Sequence, residues 1–144
     1  MAFDTKSGIP SSTVNLHNPA RKSMVNPLNG QKYNFGDPTT LAEAGSVQLE
    51  FAALGARTAN DTYATAARRA LDALLHVPRN GAAQKSHVLP VDVHPQRKRF
   101  ESDRRSIGAS GDSYYEYLLK GWLVARRGDD RPWARSLLQR YTAA

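Results

Sequence analysis

The stretch from Gly108 to Lys120 constrains the fold of this chain most, because a glycine-rich turn leads directly into a helix that is apolar on nearly every side. The helix is predicted to run from about Ser113 to Arg126. Its apolar side chains are Tyr114, Tyr117, Leu118, Leu119, Trp122, Leu123 and Val124. A helix of this kind is buried on most sides. The rest of the chain must therefore supply further helices that pack around it.

A first such helix is predicted to begin at Thr40, because the spacing from Thr40 to Glu43 fits a capping box. Gly55 and the turn over 58–61 end it. Its apolar stripe consists of Ala44, Val47, Phe51 and Leu54. Glu43 and Glu50 are seven residues apart, so a continuous helix would place both on one face.

Two more helices follow from apolar periodicity. One runs from about Thr62 to Leu75 and is stopped by Pro78. Its inward residues are Tyr63, Ala67, Ala70, Leu71 and Leu74, with Arg68, Arg69 and Asp72 outward. The last begins at Asp130, with Pro132 in its first turn. Its inward residues are Trp133, Leu137, Leu138 and Tyr141.

The segments between these helices show different patterns. Residues 1–38 are rich in Gly, Pro, Asn and Ser and lack helical or strand periodicity, which predicts a long loop. Residues 88–101 predict a short β excursion with a turn at 94–96. The chain is therefore predicted to be all-α. A loop over 1–38 precedes a helical hairpin over 39–76, and a loop with the β excursion over 77–111 leads to a second hairpin over 112–144.

Composition narrows the function classes. The chain has 144 residues, a net charge of +7 and a pI of about 10.0, which fits one domain that could bind a polyanion. The basic clusters are Arg97-Lys98-Arg99, Arg104-Arg105 and Arg126-Arg127. Acidic residues interrupt these clusters and aromatic residues do not interleave with them, which favours a solvated basic face over a nucleic-acid-binding surface.

Several other sites are not predicted. Cysteine is absent, so neither a disulfide nor a thiolate metal site is possible. His17, His76, His87 and His94 are too scattered for a zinc signature, and no metal-ligating residues are assigned. The sequence contains no run of 18 apolar residues and no hydrophobic leader, so neither a membrane span nor a signal peptide is predicted.

Asp112 is the candidate catalytic residue. It lies where the glycine-rich turn meets the helix, and an acid on a rigid element beside a bendable loop suits acid–base chemistry. The helix N-terminus stabilises its negative charge, so a base or a charge-stabilising role suits it better than proton donation. A plain N-cap aspartate would give the same local pattern, since Ser113 to Glu116 also has capping-box spacing.

Four segments, in order along the chain, resemble those of the class I alpha-mannosidases, glycoside hydrolase family 47. They are Phe3-Asp4-Thr5 with Ser7–Pro10 and Val14–Leu16, then Thr40–Phe51, then Leu89-Pro90 with Phe100, and finally Gly108–Lys120. The resemblance covers almost the whole chain. Since the family's catalytic domain is several times longer, the chain resembles an internal fragment of it.

The resemblance implies part of an (αα)7 barrel, a ring of seven helical hairpins. It also implies an inverting alpha-1,2-mannosidase that trims mannose from Asn-linked high-mannose glycans on glycoproteins in the secretory pathway. Endoplasmic reticulum and Golgi remain open, as does the mannose branch that is cleaved. The family uses Ca²⁺, whose protein contacts lie beyond this fragment.

The resemblance also assigns site residues. Asp112 matches one of three acidic positions near the cleaved bond, and the other two have no match here. Glu43 matches a glutamate that holds sugar hydroxyls, although a capping-box role would suit it as well. Glu50 is a further substrate-binding candidate, with a solvated or core-satisfying glutamate as the alternative. Ser110 stands where the endoplasmic-reticulum group has arginine and the Golgi group has an uncharged residue, which predicts broader specificity.

Two alternative functions stay open at this point. One is a glycan-binding, mannosidase-like factor of glycoprotein quality control with little turnover. The other is a basic helical module that binds nucleic acid. In the mannosidase interpretation, the isolated fragment is expected to be inactive, because two acidic positions and the calcium contacts are missing.

Overall fold

A computed structural model describes residues 2–14, 16–17, 23–30, 32–34, 38–79, 86–125 and 131–144. This part of the chain is mostly helical and includes a small three-stranded sheet. The helices are α1 (Leu41–Gly45), α2 (Gln48–Thr58), α3 (Thr62–Leu75), α4 (Asp112–Ala125) and α5 (Arg131–Ala143). The strands are β1 (Ser23–Val25), β2 (Lys32–Asn34), β3 (Thr39–Thr40), β4 (Asp92–His94) and β5 (Arg99–Phe100).

Helix α4 packs against α1, α2 and α5. Small residues allow the close crossings. A Cβ on Gly45 would lie 2.5 Å from Cδ2 of Tyr114, and one on Gly121 would lie 2.8 Å from Cδ1 of Leu137. The prediction of burial on most sides is wrong for the last turns of α4, where Leu123 is 45% exposed and Val124 is 69% exposed. The reason is that α1 packs at the other end of α4, against Tyr114.

The single helix predicted from Thr40 is in fact two helices, because the chain leaves helical geometry at Ser46, which has φ −127° and ψ 45°. The hydroxyl of Ser46 donates to the carbonyl of Ala42 at 2.6 Å, and such a back-bond competes with helix continuation. Glu43 therefore lies on α1 and Glu50 on α2. Their seven-residue spacing does not place them on one helix face, so that prediction is wrong.

The α2–α3 pair confirms the second predicted helix. Helix α2 ends at Thr58, and its C-cap residue Ala59 adopts a left-handed φ of 51°. Helix α3 then follows over the predicted residues. Ala67, Ala70, Leu71 and Leu74 are buried, as the periodicity indicates. Arg68, predicted to point outward, instead stacks over the ring of Trp133 on α5, with its guanidinium carbon 4.7 Å from the ring centroid. Leu54, predicted inward, is 40% exposed.

The prediction of a long loop over residues 1–38 is only partly correct, because this segment contains two short strands. Strands β1 and β2 form an antiparallel hairpin with Ser23 opposite Asn34. In the turn between them, the side chain of Asn26 accepts from the N–H of Leu28 and Gly30 adopts a φ of +69°. Strands of three residues are too short to show a period. Before this hairpin, Ile9 is fully buried in the core.

The predicted β excursion is confirmed and is larger than expected. Strand β4 is the centre of an antiparallel sheet in the order β3–β4–β5, in which Thr39 pairs with Val93 and Val93 with Phe100. Val93 of β4 and Val91, which directly precedes this strand, are fully buried and belong to the same hydrophobic core as the helices. The main residues that the helices contribute to this core are Leu41, Leu71, Leu74, Leu118 and Leu137.

Helix α5 packs along α4 through Ala134 and Leu137, both 1% exposed. Tyr141, predicted inward, is 39% exposed because it lies on the last turn of the helix. The predicted start of this helix at Asp130 and the predicted end of α4 at Arg126 fall outside the described residues.

Candidate functional site

Two hydrogen bonds join the segments that carry the predicted site residues. The N–H of Ala42, next to Glu43, donates to the carbonyl oxygen of Ser110 at 2.9 Å. The phenol of Tyr117 on α4 donates to Oε1 of Glu50 on α2 at 2.5 Å. The start of α1, the start of α4 and the first turn of α2 are therefore held as neighbours, although they are far apart in sequence.

The turn before α4 is closed by its own backbone. The N–H groups of Gly111 and Asp112 both donate to the carbonyl of Gly108, at 3.0 and 2.8 Å. Ser110 has a φ of 71°, which is uncommon for a residue other than glycine. A Cβ on Gly111 would lie 2.0 Å from the carbonyl oxygen of Ser106, so only glycine fits there. The expected bendable loop is therefore a tightly constrained turn, which fixes the start of α4.

Asp112 is the first residue of α4, and its side chain is exposed. Its Oδ1 accepts from the N–H of Ser113 at 2.8 Å. This bond and the helix N-terminus both stabilise negative charge on the carboxylate. The predicted capping box from Ser113 is wrong, because Ser113 lies inside the helix and Glu116 pairs with Lys120 at 2.8 Å. Asp112 thus presents an anionic carboxylate at the surface.

Glu43 forms the predicted capping box with Thr40. The N–H of Glu43 donates to Oγ1 of Thr40 at 3.1 Å, and Oε2 of Glu43 accepts from the N–H of Thr40 at 3.0 Å. The hydroxyl of Thr39 also donates to this Oε2, at 3.2 Å. These bonds orient a carboxylate that remains exposed.

The carboxylate of Glu43 also lines a groove of about 240 Å³ at the start of α1. The groove is bounded by the N-terminal segment, by β3 and by α1 and α2. Its other lining residues are Ala2, Phe3, Pro10, Ser11, Ser12, Thr39, Val47 and Phe51. The rings of Phe3 and Phe51 meet edge to face with their centroids 5.2 Å apart. Polar and aromatic groups therefore lie together beside Glu43.

Glu50 is exposed and binds Tyr117, a residue to which sequence reasoning gave no role in the site. The bond to Glu50 raises the pKa of Tyr117 to about 12, with burial as a smaller cause. The phenol therefore stays protonated at neutral pH and acts as a donor. No sequence spacing could have shown this pair, because its members are 67 residues apart on two helices.

The basic clusters on and after β5 are paired with acids. Arg99 lies 2.9 Å from Glu101, and this bond holds the pKa of the Glu101 carboxyl below its usual value. Arg104 lies 3.0 Å from Asp92, and Arg105 lies 3.5 Å from Asp103. Such pairing supports a solvated basic face. The Arg126-Arg127 cluster lies outside the described residues.

The described ranges contain neither a metal-binding cluster nor a membrane-spanning helix. No group of three or more His, Cys, Asp or Glu residues there could hold a metal ion, so the calcium that the resemblance implies does not fit these residues. No helix in those ranges is long and apolar enough to cross a membrane.

Comparisons with known proteins agree with these motifs. A mannosyl-oligosaccharide alpha-1,2-mannosidase IA of Spodoptera frugiperda is 31% identical over 131 residues, which are 90% of this chain and 18% of that protein. The endoplasmic reticulum mannosyl-oligosaccharide 1,2-alpha-mannosidase of Saccharomyces cerevisiae is 32% identical over 127 residues, 86% of this chain and 21% of that protein. The chain thus spans about a fifth of these curated relatives.

A solved structure extends the likeness to the fold. The alpha-1,2-mannosidase from Trichoderma reesei superposes with a TM-score of 0.70 and 26% identity, over 99% of this chain and 26% of that one. The sequence profile of glycosyl hydrolase family 47 matches residues 1–144. Because that match takes in every residue, the chain belongs to glycosyl hydrolase family 47.

Proposed function

We propose that this chain is part of the catalytic domain of an inverting alpha-1,2-mannosidase that removes mannose from high-mannose N-glycans. The observation that carries the proposal is the bond between Ala42 and Ser110. It joins the Glu43 motif to the Asp112 motif and so places two exposed carboxylates on neighbouring element ends. The named activities of the relatives support the proposal and favour neither the quality-control lectin nor the nucleic-acid-binding alternative.

Asp112 acts in this proposal as the base or as the stabiliser of developing positive charge. An inverting glycosidase needs an acid and a base on opposite sides of the sugar ring, roughly 6.5–9.5 Å apart, so that water fits between. The N–H of Ser113 and the start of α4 favour an anionic Asp112 that can accept a proton from this water. The partner acids have no counterpart in this chain, so the isolated chain is predicted to lack turnover.

Glu43, Ser110 and Glu50 bind the substrate in this proposal. The carboxylate of Glu43 is oriented by the two threonines and accepts from sugar hydroxyls in the adjoining groove. Ser110 presents one short hydroxyl instead of a guanidinium fork, which leaves room for several mannose branches. The carboxylate of Glu50 accepts a hydrogen bond from the Tyr117 hydroxyl and can accept a second one from a sugar hydroxyl.

The remaining parts of the proposal concern the whole protein. Helices α2 and α3 form one hairpin, α4 and α5 form another, and the two would be neighbouring units of an (αα)7 barrel. The segments 1–38, 39–76, 77–111 and 112–144 would be its N-terminal loop with the β1–β2 hairpin, a first helical hairpin, a loop with the short β excursion and a second helical hairpin. Calcium would be held by residues outside this chain. The secretory pathway would be its compartment, as the name of the yeast relative suggests.

The decisive experiment changes Asp112→Asn in a complete catalytic domain that contains this chain. Asparagine keeps the shape and most of the capping ability but removes the charge. We expect release of mannose from a high-mannose glycan to fall by at least about 10²-fold, the usual scale for a general acid or base. The melting temperature should hardly change.

The matched control is Asp72→Asn. It changes an exposed aspartate on a different helix, α3, and should leave turnover near normal. Near-normal turnover in a folded Asp112→Asn enzyme would contradict the catalytic assignment and leave only a structural role for this aspartate.

A further inference from the structure

A second pocket, separate from the candidate site, lies between α4 and α5. Its volume is about 280 Å³. It is lined by the end of α3, the first half of α4, residues 136–143 of α5, and Arg79, His87 and Leu89. The lining includes three basic residues: Arg79, His87 and Arg140. Glu43, Glu50, Ser110 and Asp112 do not line it.

No acidic residue among the described ones lines this pocket, so its positive charge is not balanced within the lining. Arg79 also borders a neighbouring cavity whose lining includes Glu101 and Asp103. Arg79 and Arg140 take no part in the ion pairs found in the described ranges. By contrast, Arg99, Arg104 and Arg105 each have an acidic neighbour. The pocket therefore differs from the paired basic face.

Arg79 and Arg140 both line this pocket. Arg79 is held in place by its Nη1, which donates to the carbonyl of Ser86 at 2.9 Å. Tyr114 is 2% exposed, and burial raises the pKa of its phenol. The positive charges of Arg140 and Arg79 oppose part of that increase, and Tyr114 lines the same pocket as the two arginines.

Two guanidinium groups that line one pocket repel each other, and an anion between them offsets this repulsion. A guanidinium presents a planar fork of donors that matches phosphate and carboxylate oxygens. Gln139 adds a neutral amide donor on the α5 side. We propose that the pocket between α4 and α5 binds a small oxyanion, a phosphate or a carboxylate, through Arg79 and Arg140.

The test is a thermal melt of the 144-residue chain in phosphate and in chloride at matched ionic strength. At a phosphate concentration ten times Kd we expect the Tm to rise by about 3–6 °C. Arg140→Gln should abolish this rise. Arg135→Gln, which removes an exposed arginine of the same helix outside the pocket, should keep it and controls for net charge.

Acetate as the second probe separates the two oxyanion chemistries, since a carboxylate site responds to acetate and a phosphate site does not. Arg140→Lys keeps the charge without the fork and should retain only part of the response. Calorimetric titration with phosphate gives the same comparison for any variant without a cooperative melt. An equal response to chloride, or an equal loss in Arg135→Gln and Arg140→Gln, would overturn the proposal.

Discussion

The two ends of helix α4 differ in how completely this chain surrounds them. At the N-terminal end Tyr114 and Leu118 are buried, and the hydroxyl of Tyr115 accepts from the N–H of Leu89 at 2.9 Å. At the C-terminal end Leu123 and Val124 are exposed.

A cavity of about 280 Å³ lies beside this C-terminal half of α4 and is lined by Gln48, Gly121 and Trp133, among others. The buried side-chain amide of Gln48 and Nε1 of Trp133 find no hydrogen-bond partner among the described residues. Buried polar groups are normally satisfied, and an unpaired one costs about 1–3 kcal/mol. The described residues thus pack closely around the N-terminal end of α4, which carries the candidate site, and only partly around its C-terminal end.

The largest expected effect comes from Gly111→Ala at the N-terminal end. A Cβ there would lie 2.0 Å from the carbonyl oxygen of Ser106, and a backbone atom cannot move away cheaply. We expect a loss of more than about 4 kcal/mol in the free energy of unfolding, measured by urea titration. Gly108→Ala is the control, because its nearest atom would be a serine Oγ at 3.5 Å, and a cost below about 1 kcal/mol is expected.

The second prediction compares two leucines of the same helix. Leu118→Ala removes a side chain that is 1% exposed and should cost about 2–4 kcal/mol. Leu123→Ala removes one that is 45% exposed and should cost less than about 1 kcal/mol. Equal losses in urea unfolding would show that the two ends of α4 are equally well packed, and the comparison would fail.

Gln48→Met tests the C-terminal side of α4 directly. Methionine has a similar volume and no polar group, so the penalty for the unpaired amide disappears. We expect the free energy of unfolding to stay equal or to rise by up to about 1 kcal/mol. A loss of 2 kcal/mol or more, on the scale of a broken buried hydrogen bond, would reveal a partner for the Gln48 amide.

The smallest effect concerns Tyr117, between the two ends. Its pKa is raised from 10.0 to about 12, chiefly by the bond to Glu50. A raised folded-state pKa contributes stability below the unfolded value, and this contribution is lost as the pH rises through the folded value. The window is therefore pH 10 to about 12.

Ultraviolet titration with Tyr117→Phe as reference would isolate this phenol. In Glu50→Gln the carboxylate charge is gone, so the pKa of Tyr117 should move back towards 10.0. An unchanged titration in Glu50→Gln would mean that burial, and not the carboxylate, sets the pKa.

The sequence predicted the elements with strong local signals. Helix α3 has a clean apolar period and a terminating proline, and Thr40 and Glu43 have the capping-box spacing that the structure confirms. The break at Ser46 was missed, because it arises from a single hydroxyl that competes with the helix backbone. The short strands β1 and β2 were missed for lack of length.

The candidate site was predicted as a set of residues and not as an arrangement. Motif resemblance pointed to Asp112, Glu43 and Ser110, whose catalytic and binding roles remain proposals. The Ala42–Ser110 and Tyr117–Glu50 bonds join distant segments, so only the folded chain shows them. The left-handed Ser110 was likewise invisible, since serine gives no local signal for it.

That left-handed residue limits how the site can vary. At a φ of 71°, a β-branched side chain such as valine, isoleucine or threonine would clash with its own backbone. Glycine, asparagine and aspartate tolerate this geometry best, and long unbranched side chains pay a smaller penalty than branched ones. Few residues can therefore replace Ser110 when its proposed role in branch preference is tested. Substitution of the neighbouring Gly111 does not add to these choices, because that position must remain glycine for the turn to close.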